Sequence, residues 1–453
     1  MRGGDFSSVI SYDGFFIKRL GKMKYKKQLL IIMMIISSSN LYATNGYFSH
    51  GYGAKSKSMA GACTAMTVGT MCAAINPASL VHSGNRMDYG FALFSPSRGF
   101  TANNDASPIG PPNGPASIPA GTYDSTNDLF IIPHFGYNYM LDDQSSIGVA
   151  VYGNGGMNSE YDAAVFRNFG NPMMPSSMAS SPTGIDLAQM FIGVTYSRKI
   201  NAQHSVGITP ILAIQAFEAQ GLQPFTMFSR HPGNVTNNGH DLSYGGGVRI
   251  GWLGKITDTL TLGASYQTKL LMTEFDDYKG LFAEEGSFDI PATFNLGVAY
   301  QIVPSVTLAF DYQRIEYSGI KSMSNASDVI FMPGQTLLGT DDGLGFGWED
   351  MNVYKFGVQW EYSPKLTLRA GYSHASEPFS GTQGLFNTLA PAVVRTHYSF
   401  GFTTPISERM ELNLAFSYMP NEKLDGSNPN TGPQTGYLEM SQYELVFGIG
   451  MKF

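Results

Sequence analysis

No apolar run in this chain reaches the length of about 18 residues that a membrane-crossing helix requires, so helical spans are excluded. Charge is scarce as well. Only 14% of the 453 residues are charged, the formal net charge is −7 and the pI is near 5.6. A nucleic-acid binder needs clustered basic residues to neutralise phosphates, and that class is set aside. Hydrolase signatures are absent too: neither G-x-S-x-G nor H-E-x-x-H occurs, so no enzyme is expected. The glycine-rich stretch NGYFSHGYGAKSKSMAGA, residues 45–62, holds Gly53-Ala54-Lys55-Ser56 but is no phosphate loop. In such a loop the last glycine directly precedes the lysine, and here Ala54 intervenes. Cysteine is limited to Cys63 and Cys72. In a chain that leaves the cytoplasm a bridge between them is permitted, and the spacing fits a disulfide and two buried thiols equally. Further ligands for a zinc ion are missing near them, so neither metal nor cofactor is expected.

What the sequence has in abundance is glycine, 52 residues, and aromatic side chains, 13%. Near the start, Lys24, Lys26 and Lys27 precede the apolar core Leu29 to Ile36 and a small polar run ending at Ala43. That is the layout of an export signal, predicted over residues 1–43 with the true start at Met23. From Arg86 to the end, long period-two segments alternate with breaks that are by turns short and long. Short breaks fall at 142–144, 201–204, 257–259, 304–305, 363–365 and 407–410, and long ones between them. In VTLAFDYQ, for example, Val306, Leu308, Phe310 and Tyr312 share one face, while Thr307, Ala309, Asp311 and Gln313 share the other. Tyr196, Trp252, Tyr300 and Tyr362 stand just before short turns, where an interfacial girdle belongs. The ending QYELVFGIGMKF alternates to a terminal Phe453, like the assembly signal of outer-membrane barrels. A soluble sandwich gives no reason to lengthen only every second loop. The predicted fold is all-β: a 14-stranded antiparallel transmembrane barrel over residues 86–453, apolar outside and polar within, in a Gram-negative outer membrane.

Residues 44–85 do not alternate and are too small for a domain of their own. They are predicted to fill the lumen as a hatch. With that plug, with Asn76-Pro77-Ala78, and with GFGWEDMNVYKFGVQW, LTLRAGYSH and FNTLAPAVVRTHYSFGF in order along the barrel, the chain resembles the FadL/TodX family of outer-membrane transporters for long-chain fatty acids and other hydrophobic compounds.

The resemblance implies a hatch containing Asn76, Pro77 and Ala78, and a kinked third strand that opens sideways to the bilayer. VAVYGNGGMNSEY matches that strand, with Gly153, Gly155 and Gly156 interrupting its alternation. Tyr47 and Phe48, at the start of the hatch, are expected to touch the solute. Capture is expected at loop residues Phe225, Met227, Phe228, Leu281 and Phe282, with Phe166, Phe169, Met173, Met174 and Met178 nearby. Packing of these loops on one another explains the same residues equally well. Parity places Lys269, Lys355 and Arg369 inside the lumen as candidates for a carboxylate headgroup, or as partners of Asp311 and Glu361. The fifth strand, LAIQAFEAQGL, lacks a basic residue, which keeps aromatic hydrocarbons open beside fatty acids. The expected partners are hydrophobic small molecules, outer-membrane lipid and lipopolysaccharide, and the barrel-assembly machinery, with the chain a monomer. A general porin, an adhesin and an outer-membrane lipase are the rival readings.

Overall fold

Alternation becomes a closed wall in the computed structural model, which describes residues 45–104, 116–332 and 334–453. The predicted signal segment and Met23 lie outside the described residues. Two of the sheet's sixteen segments, Gly121–Asp124 and Leu271–Met272, are short pieces at the loop end. The other fourteen are the wall strands. In chain order they are β1 (Arg86–Ala102), β2 (Phe130–Met140), β3 (Ser145–Tyr161), β4 (Thr183–Lys199), β5 (His204–Gln220), β6 (Asp241–Lys255) and β7 (Leu260–Gln267). Then follow β8 (Thr293–Val303), β9 (Val306–Ile315), β10 (Met351–Ser363), β11 (Leu366–Ala375), β12 (Thr396–Pro405), β13 (Met410–Ser427) and β14 (Thr435–Lys452). Neighbours run antiparallel, and β14 returns to β1 from Arg86↔Lys452 to Ala102↔Gly436. Closure satisfies backbone groups that lipid cannot.

Side-chain chemistry follows the pleat. Phe91, Ile131, Ile208, Phe310, Phe356 and Phe400 point outward and are exposed, as a lipid-facing band requires. Tyr196, Tyr300 and Tyr362 are exposed near the short turns. No helix among the described residues is long and apolar enough to cross a membrane.

The inner face departs from the expected uniform polarity. Toward the short turns it is polar or glycine, as with Ser205, Gly207 and Thr209 on β5 or Lys355 and Gly357 on β10. Toward the long loops it turns apolar: Ile185 and Leu187, Phe217 and Ala219, Met351 and Val353 are all buried there. The reason lies in what each half touches. The lower half meets the polar backbone of the hatch, and the upper half meets apolar side chains of the loops.

Residues 45–85 occupy the lumen, with a one-turn helix Gly53–Lys57 and two 3-10 turns, Thr70–Ala74 and Pro77–His82. Their body is bound to the wall through buried polar groups. Asp311 of β9 accepts from Cys63 N, Thr64 N and Thr64 Oγ1 at 2.8, 2.8 and 2.7 Å. Lys57 pairs with Glu444, and Lys55 and Arg86 pair with Glu411. Asn76 caps the turn that starts at Pro77 by accepting from Ala78 N, while its amide donates to Thr64 O and Trp252 O at 2.8 and 2.9 Å. This close seating needs bare backbone opposite. A Cβ on Gly251 would lie 2.0 Å from Asn76 Oδ1, and one on Gly207 2.4 Å from the Pro77 carbonyl carbon. Cys63 and Cys72 are joined as a disulfide within the hatch body.

Candidate functional site

Among the described residues, the wall is interrupted between β2 and β3. β2 and β3 pair only from Met140↔Ser146 up to His134↔Tyr152. Above that, β3 is next met from the β2 side at Glu160, whose carbonyl accepts from Thr126 N at 2.9 Å. Between these points β3 shifts register against β4 at Gly153/Gly155, a bulge that makes Asn154 the extra residue. Gly153, Gly155 and Gly156 thus flank a bulge in a continuous strand, where the inward–outward alternation is interrupted as the sequence suggested.

The first residues of the hatch fill this gap from inside. Ser49 N donates to Asn154 O at 2.9 Å, Gly156 N donates to Tyr47 O at 3.0 Å, and Phe48 bridges Gly155 antiparallel. The arm, residues 45–49, supplies the backbone partner that β2 fails to provide, and so covers groups that would otherwise be unpaired. Asn154 turns its side chain into the lumen. It accepts from Tyr52 Oη at 2.9 Å and donates to Gln189 at 3.0 Å, and the chain continues from Gln189 to Gln215 at 3.1 Å.

Above the arm lies an aromatic cage. Tyr47 is 0% exposed and Phe48 2%. The Tyr47 ring sits 5.3 Å from Phe48, 5.2 Å from Tyr317, 6.0 Å from Trp348 and 6.2 Å from Phe288. Tyr317 Oη accepts from Tyr47 N at 3.1 Å and donates to Asn45 O at 2.7 Å. Below the arm a cavity of about 20 Å³ is lined by His50, Tyr52, Arg249, Gln313 and Lys355. Arg249 Nη1 donates to Tyr152 Oη at 3.0 Å, and Lys355 Nζ donates to His50 O at 3.0 Å. Neither forms an ion pair within hydrogen-bond distance among the described residues, although Lys355 stands opposite Asp311 in the strand register.

The remaining expectations divide. Lys355 and Arg369 are buried in the lumen. Arg369 is held by Gln359 at 2.8 Å and Thr403 at 2.7 Å. Lys269 is a correction: β7 ends at Gln267, alternation stops there, and Lys269 is exposed in an ion pair with Asp289 at 3.1 Å. Phe166, Phe169, Phe225, Phe228 and Phe282 are buried, Met227 and Leu281 half-buried, and Met173, Met174 and Met178 exposed. The buried rings pack on one another, as in Phe166–Phe225 at 5.0 Å and Phe217–Phe282 at 4.6 Å. They close the mouth with an apolar cluster that reaches down to Tyr47. Sequence parity missed Arg249, Asn154, Tyr317 and Trp348. Only Arg249 left a signal, a lone cation on the inward parity of GGGVRIGW.

At the loop end, His240 sits between two carboxylates that face each other in register, Asp186 of β4 and Glu218 of β5. Its Nε2 lies 3.0 Å from Asp186 and its Nδ1 3.0 Å from Glu218. Both ring nitrogens donate only when the ring is protonated. The hydrogen bond to Asp186 raises the His240 pKa above the usual histidine value, against a smaller opposing effect of burial. With the folded pKa raised, the tie is complete below the unfolded value of about 6.5 and is lost as pH rises through the folded value. Proteolysis within loop 221–240 is expected to quicken between about pH 6 and pH 9, relative to a His240→Gln variant whose cleavage carries no such dependence.

The model of the family described as outer membrane protein transport protein (OMPP1/FadL/TodX) matches residues 43–452. The chain belongs to the OMPP1/FadL/TodX family. Solved structures with the same fold include the P. putida toluene transporter TodX, at 20% identity and a TM-score of 0.63 over 89% of this chain and 99% of that one. A Pseudomonas aeruginosa FadL homologue is similar at 16% identity and a TM-score of 0.62, covering 89% and 98%. The Ralstonia pickettii toluene transporter TbuX is similar at 16% and 0.57, covering 89% and 99%. No curated protein sequence matches significantly. As an OMPP1/FadL/TodX member the chain is a Gram-negative outer-membrane barrel that transports hydrophobic compounds, in a family of transporters and channels.

Proposed function

We propose passive, ligand-gated uptake: capture at the loops, descent along the apolar upper lumen, displacement of the arm by solute in the aromatic cage, and lateral exit between β2 and β3. The observation that carries this reading is the arm's backbone pairing across the interrupted seam. The cover of the gap is thereby the same element that presents Tyr47 and Phe48 to the cage. Each methylene kept from water is worth about 0.8 kcal/mol, so a continuous apolar path lowers the barrier that an aqueous pore would leave. The arm is held by a few hydrogen bonds and ring contacts, whereas the hatch body is held by ion pairs and a disulfide. Displacing the arm is therefore the easier movement.

Long-chain fatty acids are the substrate favoured, because Arg249 and Lys355 line the cavity beneath the arm, where a carboxylate would meet two buried cations. Aromatic hydrocarbons are the second reading, favoured by the closeness of the rings around Tyr47. Uptake by cells with and without the protein, measured over a series of fatty acids and alkylbenzenes, separates the two. Fatty-acid uptake that rises with chain length and falls on Arg249→Gln supports the first, and protein-dependent uptake of alkylbenzenes alone supports the second. Steady conductance of the wild-type protein in planar bilayers would favour a porin instead. The reading also includes a monomer in contact with lipopolysaccharide, inserted by the barrel-assembly machinery through the Phe453 ending.

A further inference from the structure

We propose that the extracellular mouth carries a separate binding slot for the unbranched alkyl end of a chain-like solute, between β1, the β13–β14 hairpin and the loop joining β11 to β12. The proposal rests on the hydrophobic-uptake reading and adds to it a second place of contact, away from the arm and from the β5–β6 loop. The slot has a volume of about 60 Å³, and its apolar walls are Phe100, Ile118, Leu385, Leu424 and Leu438.

Three features define what fits. Backbone, kept bare by glycine, forms part of the lining: a Cβ on Gly426 would lie 2.3 Å from Gly381 O, and one on Gly436 2.3 Å from Thr101 O. Three polar side chains at its edge already have partners. Asn428 donates to Thr382 O at 2.9 Å, Thr431 to Asn428 O at 2.8 Å, and Gln434 to Ile118 O at 2.6 Å. No headgroup is required there, and apolar contact alone holds the guest. Size then selects its shape, since a cavity of about 150 Å³ accommodates benzene, and this slot is smaller. A methylene chain enters where a ring does not.

The slot also leads inward. Phe100 meets Tyr161 edge-on at 5.2 Å, and both belong to the apolar cluster that extends to Tyr47. A chain that enters here stays against apolar surface on its way to the arm.

The test uses the full protein in lipid nanodiscs and hexadecanoic acid carrying a diazirine at its methyl end. Adducts mapped by mass spectrometry are expected on Leu385, Leu424 or Leu438, suppressed by unlabelled hexadecanoic acid and not by toluene. Gly384 lines the slot, and a Cβ there meets nothing within 4 Å. Gly384 has helical backbone angles, so Gly384→Met is tolerated by the backbone and extends an unbranched side chain from the lining of the slot, and is expected to reduce slot labelling at least about fivefold while labelling near Tyr47 persists. Labelling confined to the arm, slot adducts unchanged in Gly384→Met, or equal competition by toluene would each overturn the proposal. The readout needs no transport: absence of protein-dependent uptake in cells would defeat the uptake reading alone, and absence of slot adducts the slot alone.

Discussion

Alanine at both Tyr47 and Phe48 is expected to lower the initial rate of hydrophobic-solute uptake at least about fivefold, with the barrel still folded. Each aromatic contact is worth about 0.5–1.5 kcal/mol beyond the area it buries, so losing two rings from the cage removes at least about 1 kcal/mol, a factor of about five. The double variant keeps the backbone of residues 45–49, and with it the capacity to pair with Gly155 and Gly156. Uptake and seam closure are thus separable. Heat-modifiable mobility on gels reports the folded barrel, and radiolabelled solute reports uptake. Unchanged uptake in a folded double variant would remove the arm from the mechanism.

A second large effect is expected at Asp311. One of its carboxylate oxygens accepts three hydrogen bonds from Cys63 and Thr64, all of them buried. Alanine there leaves two buried N–H groups without a partner, at about 1–3 kcal/mol each. It also removes the carboxylate that stands opposite Lys355 in the strand register, leaving that cation its hydrogen bond to His50 O. The wall has no comparable dependence on Asp311, since β9 keeps its ladders to β8 and β10. Asp311→Ala is therefore expected to unseat the hatch body within an intact barrel, giving steady single-channel conductance and sensitivity to bulky antibiotics. Asp311→Asn retains an acceptor and is expected to show a smaller effect. A silent, fully closed Asp311→Ala channel would show that the hatch is held elsewhere.

The barrel was legible because its wall is a local code. Outward residues such as Phe310 and Phe356 obey period two whatever the rest of the chain does, and the turns at 304–305 and 364–365 fall where the alternation stops. The hatch was legible by contrast, as a stretch without that period. The chemistry inside the lumen was harder to read. Parity says which side a residue faces and nothing about what stands opposite, so Lys355 was found while its neighbour Arg249, on a distant strand, was not. Parity also fails past a strand's end, which is why Lys269 was misplaced. The apolar upper lumen left a trace in PILAIQAF, where both faces are apolar and alternation fades. Tyr317 and Trp348 lie on the loop between β9 and β10, where no periodicity constrains position, and they meet Tyr47 only in three dimensions.

The hatch also constrains the order in which the molecule comes together. Lys57 reaches Glu444, 387 residues further along the chain, and Lys55 reaches Glu411. The plug is thus the first part of the described chain to be synthesised, while its two lysines are among the last groups to find their permanent neighbours. Until β13 and β14 arrive, those lysines have no acids to meet, and a half-built cylinder holds a stopper that cannot yet lock. Tightness of the finished vessel draws on its last two staves as well as on the earlier ones that hold Thr64 and Asn76.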